Sequence, residues 1–319
     1  MRIAFLGNDP WSVPPLRALA EADDIEVALV VTNPPRPAGR GSRLTPTDVA
    51  VAAAELGLPL LEVEGVREGE GFDALDRLEP DALVVVAYGE ILRPAVLDIP
   101  RLGAVNVHFS LLPRWRGAAP VQHAILAGDE VTGVTVMLMD EGMDTGPILL
   151  SEETPIGPEE DAGTLGERLA ELGAPLLVGA LRRLDQGSIE PRSQEQVAAT
   201  SAPKLGARER TIDWESPSDA VVRKVRAFAP DPGAVTTFRD AALKVVVARD
   251  LGRENVLGRM LADAHVPHWG SMWQHQGRIV VGAGVGAVEL LEVVPPGRRR
   301  MSAAEWARGA RIRPGDRFG

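Results

Sequence analysis

The strongest constraint on this chain is an alternation in its first half. Short runs of Val, Ile and Leu, each closed by a turn signal, are separated by segments whose apolar residues recur at helical spacing. Residues 2–7, 25–31 and 82–87 read as buried parallel strands, and more strands are expected at 103–108 and 133–139. Helices are expected at 12–21, 46–56, 119–127 and around 162–185, with Thr45 or Thr47 capping the second. Such alternation predicts a doubly wound α/β sheet over residues 1–186. The polar stretch 187–205, interrupted by Gly187, Pro191 and Pro203, reads as a linker. Beyond it the texture changes. One helix is expected at 218–228, followed by short alternating segments at 234–238, 243–248, 278–281 and 288–293. These predict a small, mostly β domain over 206–319, and a five- or six-stranded barrel of the OB type would remove its edges.

Composition narrows the chemistry. With no cysteine in 319 residues, disulfides, thiolate metal sites, iron–sulfur clusters and a cysteine nucleophile are excluded together. The longest apolar run, Ala82 to Tyr88, is far short of the roughly 20 residues of a membrane span. Met1-Arg2 leads straight into Ile3, with no secretory leader, so a cytoplasmic protein is expected. The net charge of −11 argues against a nucleic-acid partner, but it hides an asymmetry. Residues 1–204 hold 16 basic and 32 acidic side chains, whereas 205–319 hold 18 and 13, including Arg298, Arg299 and Arg300 in one run.

Two motifs are set aside. Residues 282–287, GAGVGA, match a dinucleotide fingerprint, but the following VELLEVV is not the helix such a fingerprint opens. A glycine-rich hairpin is the better reading. His265, His268 and His275 lie close in sequence, yet no cysteine completes a metal set and no metal is expected.

The informative stretch is 105–146, VNVHFSLLPRWRGAAPVQHAILAGDEVTGVTVMLMDEGMDTG. A strand at 104–107 delivers Asn106 and His108 two residues apart, and hence on one face. A loop from Ser110 to Pro120 follows. The next strand then releases Asp140-Glu141-Gly142-Met143-Asp144-Thr145-Gly146, which is expected to put carboxylates at a strand's C-terminal edge. An amide can steady an oxyanion, a histidine can carry a proton and a carboxylate can orient that histidine. Such a set suits acyl transfer to an amine by direct attack. Ser110 as a nucleophile is disfavoured, because the G-x-S-x-G elbow is lacking.

VNVHFSLLPRWRGAAP and MDEGMDTG resemble the signature of the folate-dependent formyltransferases, in particular the branch that acts on methionyl initiator tRNA. PRPAGRGSRLTPTDV at 35–49, VVVAYGEIL at 84–92, the segment at Thr211–Trp214 and PPGRRRMSAAEW at 295–306 extend the resemblance over essentially the whole chain. It implies a Rossmann-like formyl-transfer domain over 1–186, the linker and an OB-like, tRNA-binding β-barrel over 206–319. Asn106, His108 and Asp144 match the family's catalytic residues, and 10-formyltetrahydrofolate is the implied co-substrate. The folate would lie near Tyr88, Gly89, Glu90, Ile91 and Leu92, bordered by Ser110, Leu111, Leu112 and Pro113, with Asp140 close by. The loop holding Arg36, Arg40 and Arg43 corresponds to one that meets the acceptor end of initiator tRNA. Arg298, Arg299 and Arg300 would contact the tRNA backbone. Phe109 stands where family members usually carry a small residue, which would place a ring at the folate pocket. A monomer is the default expectation. The competing readings are a formyltransferase for a nucleotide-linked amino sugar and a non-catalytic folate or RNA binder.

Overall fold

The computed structural model describes residues 1–38, 43–252, 269–313 and 315–319. They fall into two compact units. The first comprises Met1–Pro120, Val131–Pro155 and Gly166–Pro203, and the second Val121–Glu130, Ile156–Leu165 and Lys204–Gly319.

The first unit is built on a seven-stranded sheet. Its strands are β1 (Arg2–Gly7), β2 (Glu26–Thr32), β5 (Leu60–Glu62), β6 (Ala82–Val86), β7 (Ala104–His108), β8 (Val131–Leu138) and β9 (Ile148–Pro155). Between β2 and β5 in the chain stands a separate hairpin, β3 (Arg36–Ala38) and β4 (Arg43–Thr45). The sheet order is β5-β2-β1-β6-β7-β8-β9, parallel from β5 to β7 and antiparallel from β7 to β9. β6 and β7 are buried along their whole length, as a central parallel strand covered on both faces requires. Helices α1 (Val13–Ala20), α2 (Asp48–Glu55), α3 (Gly69–Leu78) and α4 (Pro94–Leu97) join the strands, α5 (Pro120–Ala127) falls almost wholly within the second unit, and α6 (Ala162–Asp185) belongs to the first from Gly166 onward. Thr47 caps α2, its hydroxyl accepting from the Ala50 amide at 3.0 Å.

Because the winding reverses between β1 and β6, their C-terminal ends open the crevice where such sheets take ligands. Asn8, just past β1, ties this point together. Its side-chain carbonyl accepts from the Thr32 hydroxyl at 2.9 Å and the Asn33 amide at 2.7 Å, and its amide donates to the Tyr88 carbonyl. α6 covers one face of the sheet closely: a Cβ at Gly166 would lie 2.0 Å from the Trp11 ring, and one at Gly173 would lie 3.0 Å from Val107. Only glycine permits that approach at Gly166.

Residues 187–203 run along this unit rather than free of it. Arg192 and Ile148 exchange two backbone hydrogen bonds at 2.8 Å, and Thr200 and Ala202 bond to residues 113–119.

The second unit carries a six-stranded antiparallel sheet. Its path is β10 (Ala234–Phe238), β11 (Ala241–Asp250), β14 (Ala287–Val294), β13 (Arg278–Gly282) and β12 (Met272–His275), with β15 (Met301–Ser302) pairing β14. Helix α7 (Ser218–Phe228) precedes the sheet, and a last helix, Ala303–Ala310, follows it. GAGVGA is the β13–β14 hairpin, with Gly282 opposite Ala287. The core holds an aromatic stack: Phe318 lies between Trp214 at 5.5 Å and Trp306 at 5.9 Å, and Phe238 meets Trp306 edge-on at 5.3 Å. Glu289, buried on β14, is held by a fork from Arg278 through two bonds of 2.6 Å. No helix among the described residues is long and apolar enough to cross a membrane.

Trp306 packs against both Phe318 and Phe238, so removing its ring leaves a cavity in this core. Trp306→Ala is expected to lower unfolding free energy by about 3–5 kcal/mol, measured by chemical denaturation.

Candidate active site

β7 presents Asn106 and His108 on one face, as their spacing requires, while Val107 on the other face packs under α6. Both polar side chains are buried, at 9% and 6% exposure. The Asn106 side chain keeps a little of its surface open on the face it shares with His108. Each nitrogen of the His108 ring faces an oxygen, and Nε2 is the one within hydrogen-bond distance. Nε2 lies 2.9 Å from the Trp115 carbonyl, which can only accept, so Nε2 carries the hydrogen. Nδ1 faces Asp144 Oδ2 at 3.6 Å. The same Asp144 oxygen accepts from the Gly117 amide at 2.8 Å.

Asp144 arrives by a route the sequence did not suggest. β8 runs antiparallel to β7, with Leu138 opposite Val105 and Thr135 opposite His108. The C-terminal end of β8 is therefore beside the start of β7, so the carboxylates leave the C-terminal end of their own strand but at the sheet edge opposite the C-terminal ends of the parallel strands. Loop 139–147 folds back over the sheet face to bring Asp144 to His108. Asp140 shapes that return, its Oδ1 accepting from the Gly142 amide at 3.0 Å and the Thr145 hydroxyl at 2.6 Å. It stays exposed and does not join the His108 cluster.

The site concentrates unusual backbone. Ala87, Trp115 and Asp144 all have positive φ, at 44°, 64° and 55°, and bulky Trp115 rarely adopts this region. Such outliers gather where function needs a fixed geometry. Gly117, at φ 125°, cannot be replaced without strain, and a Cβ there would lie 2.6 Å from the Ala202 carbonyl oxygen.

The other folate candidates are distributed differently. Tyr88 and Leu92 bury their side chains in an apolar cluster with Leu6, Val31, Leu83 and Val85. Gly89 and Ile91 are exposed beyond β6, whose Val85 pairs with Asn106, so this stretch continues past the same sheet edge as His108. Glu90 is engaged by Arg67 at 2.9 Å and the Val66 amide at 3.0 Å. The Ser110 hydroxyl donates to the Arg114 carbonyl at 2.6 Å, the Leu112 amide donates to Thr135 Oγ1 at 3.1 Å, and Leu111 and Pro113 continue the loop. Phe109 turns its ring onto Trp11, 5.7 Å away and edge-on, on the α6 side of the sheet rather than the His108 side.

Among the arginines, Arg36 pairs with Glu64 at 2.9 Å on the surface, and Arg43 opens β4 opposite Ala38. Arg40 lies outside the described residues, as do His265 and His268. Arg298 and Arg299 are exposed on the turn between β14 and β15, without an ion-pair partner among the described residues, whereas Arg300 pairs with Glu292. No three His, Asp or Glu side chains come together as a metal set among the described residues. Sequence reasoning missed Gln194, which is buried behind the Asp144 loop, because its segment has no periodicity and its polar texture suggested a linker.

A strand-borne amide and histidine met by a folded-back aspartate are the groups that acyl transfer by direct attack calls on. Residues 1–181 match the family model described as formyl transferase and residues 204–311 match its C-terminal domain, so the chain belongs to the formyl transferase family. Within that family it is 47% identical over 319 residues to the methionyl-tRNA formyltransferase of Halorhodospira halophila, covering 99% of this chain and 98% of the relative. It is 44% identical to that of Aromatoleum aromaticum, over 100% and 97%. Its fold resembles the N-formyltransferase from Helicobacter canadensis, solved with folinic acid and dTDP-3-aminofucose, at TM-score 0.63 and 15% identity, covering 90% of this chain and 98% of that one.

Tyr88 is the chain's single tyrosine, and its hydroxyl is buried without a partner. Burial, and secondarily the negative charge of Glu90, raises its pKa well above the usual tyrosine value. Since the neutral phenol is favoured in the folded state, its contribution to stability is present below about pH 10 and is lost as pH rises beyond the unfolded tyrosine value. Tyrosinate absorbance is expected to appear in the folded protein only at distinctly higher pH than in the denatured chain. Titration of both states at the ordinary value would contradict this burial.

Proposed function

We propose that this chain transfers the formyl group of 10-formyltetrahydrofolate to the α-amine of methionyl initiator tRNA, for translation initiation. The observation that carries the reading is an Asn106 amide on the same strand face as a His108 ring whose Nδ1 faces Asp144 Oδ2 at 3.6 Å. The residues fit such a donor: an amide fixed on a buried strand can donate to a carbonyl oxygen gaining charge. When bound, the folate supplies an activated formyl group.

Asn106 then donates its amide hydrogen to the formyl oxygen as the amine attacks. His108 Nδ1 and Asp144 Oδ2 take the proton that the amine loses as its bond to the formyl carbon forms, and a proton returns to the departing folate nitrogen as its own bond to that carbon breaks; the Trp115 carbonyl fixes the ring so that Nδ1 stays aimed at the carboxylate. The exposed main chain at Gly89–Ile91 would border the donor, together with the loop at Ser110–Pro113. The segment that holds Arg36, Arg40 and Arg43 in sequence would meet the acceptor end, and Arg298 and Arg299 would contact phosphates. The acidic first part of the chain would limit unproductive RNA binding there. The reading extends to a monomer acting in the cytoplasm, where initiator tRNA is used.

Labelled formyl should pass from 10-formyltetrahydrofolate to methionyl initiator tRNA and not to a nucleotide-linked amino sugar. Transfer to the sugar alone would replace the proposed acceptor, and folate binding without any transfer would refute enzyme function. Removing the oxyanion donor by Asn106→Ala is expected to lower kcat by about 100–1,000-fold with the fold intact.

Reversing Arg298 and Arg299 to Glu is expected to weaken tRNA binding and reduce its logarithmic salt slope by about one to two, because each lost phosphate contact releases fewer counterions. The KM for the folate should stay unchanged. An unaltered salt slope would remove these two residues from the tRNA interface.

A further inference from the structure

Gln194 joins the two loops that build the site. Its side chain is nearly fully buried, and every polar position on it is engaged. Nε2 donates to the main-chain carbonyls of Asp144 at 2.9 Å and Gly146 at 2.7 Å. Oε1 accepts from Arg116 Nε at 3.0 Å and Arg116 Nη2 at 2.7 Å. One amide thus spans from the loop carrying Asp144 to the loop whose Trp115 carbonyl and Gly117 amide bond His108 and Asp144. A side-chain amide offers two hydrogens on one atom and two lone pairs on the other. A carboxylate could not donate to the carbonyls, and a cationic side chain could not accept the guanidinium.

We propose that Gln194 is a positioning residue, which sets the approach of Asp144 to His108 by holding the main chain on either side of the Asp144 carboxylate. The inference rests on the formyl-transfer reading for its kinetic consequence, but its geometric content does not. Asp144 sits at φ 55°, a conformation that a free loop would leave, and the bond from Gln194 to its own carbonyl opposes that relaxation. The 113–119 loop has other restraints: Thr200 Oγ1 accepts from the Trp115 amide at 2.8 Å, the Arg116 amide donates to the Thr200 carbonyl at 2.8 Å and Ala202 bonds the Arg116 carbonyl at 2.6 Å. Gln196 Oε1 also accepts from Arg116 Nη1 at 2.9 Å. Losing Gln194 therefore releases the Asp144 loop while the opposite loop keeps its anchors.

The test uses the full chain with Gln194→Ala and Gln194→Glu, each alone and combined with Asp144→Asn. Glutamate keeps the acceptor for Arg116 but loses both bonds to the Asp144 loop, so it serves if the alanine variant does not fold. Both substitutions are expected to lower kcat by about tenfold or more, with KM for folate and tRNA within about twofold, the pattern of an interaction needed only as the reaction proceeds. In the Asp144→Asn background the same substitutions should cost less than about twofold, because residues acting through one another are not additive. Equal losses in both backgrounds, a rise in KM with kcat unchanged, or full activity of Gln194→Glu would overturn the proposal. Hydrogen exchange of the Gly117 amide gives a readout independent of the reaction. If Asp144 loosens, that amide should exchange about tenfold faster in either variant, and unchanged exchange would overturn the proposal even if the acceptor assigned above were wrong.

Discussion

Asp144 Oδ2 accepts the Gly117 amide at 2.8 Å and faces His108 Nδ1 at 3.6 Å, and the rest of the first unit is arranged so that this one atom can do both. The carboxylate reaches His108 only because loop 139–147 doubles back across an antiparallel strand, with Asp144 in a backbone region that L-residues seldom occupy. Such a conformation persists only where its surroundings over-determine it. Here the restraints are side-chain bonds from Asp140 within the loop and from Gln194 behind it. The opposite wall is fixed in the same way, by Thr200 and Ala202 gripping Trp115 and Arg116.

The sheet supplies what the loops cannot. β6 and β7 are parallel, adjacent and wholly buried, so Asn106 and His108 stand on the most rigid part of the unit, with Val85 directly opposite Asn106. Rigid placement matters because a charge-stabilising amide accelerates a reaction only if it need not reorganise as charge appears. Asn8 extends that rigidity to the neighbouring crevice by linking the ends of β1, β2 and the Tyr88 stretch through three hydrogen bonds. The second unit follows another principle, with an aromatic stack for a core and exposed arginines at a surface turn. The excess of basic side chains belongs to residues 205–319, against an excess of acidic ones over residues 1–204.

Much of this was legible because periodicity reports burial. β1, β6, β7, α6 and α7 match their sequence expectations within a residue or two, since each is a long apolar run or a clear helical stripe. β9 was missed because it is half exposed, with Ser151 to Glu153 facing solvent, and carries no buried run. α3 was hidden by its glycine- and glutamate-rich start, and the last helix by the basic tail around it. Asn106 and His108 were readable from strand spacing and motif. The path of Asp144 was not, because strand direction is decided by tertiary pairing rather than by local pattern. Gln194 was invisible for the same reason: its partners are 78 and some 50 residues away, and its own segment looks like solvated chain.

The Trp115 carbonyl fixes the His108 ring in one orientation, with the Nε2 hydrogen on that carbonyl and Nδ1 toward Asp144. Nitrogen-15 NMR of the ring tests this directly, with His108→Ala identifying its signals among those of the five histidines. Neutral His108 is predicted to be the Nε2–H form, with Nδ1 the nitrogen whose signal responds to Asp144→Asn. A neutral ring protonated at Nδ1, or signals indifferent to Asp144→Asn, would contradict it.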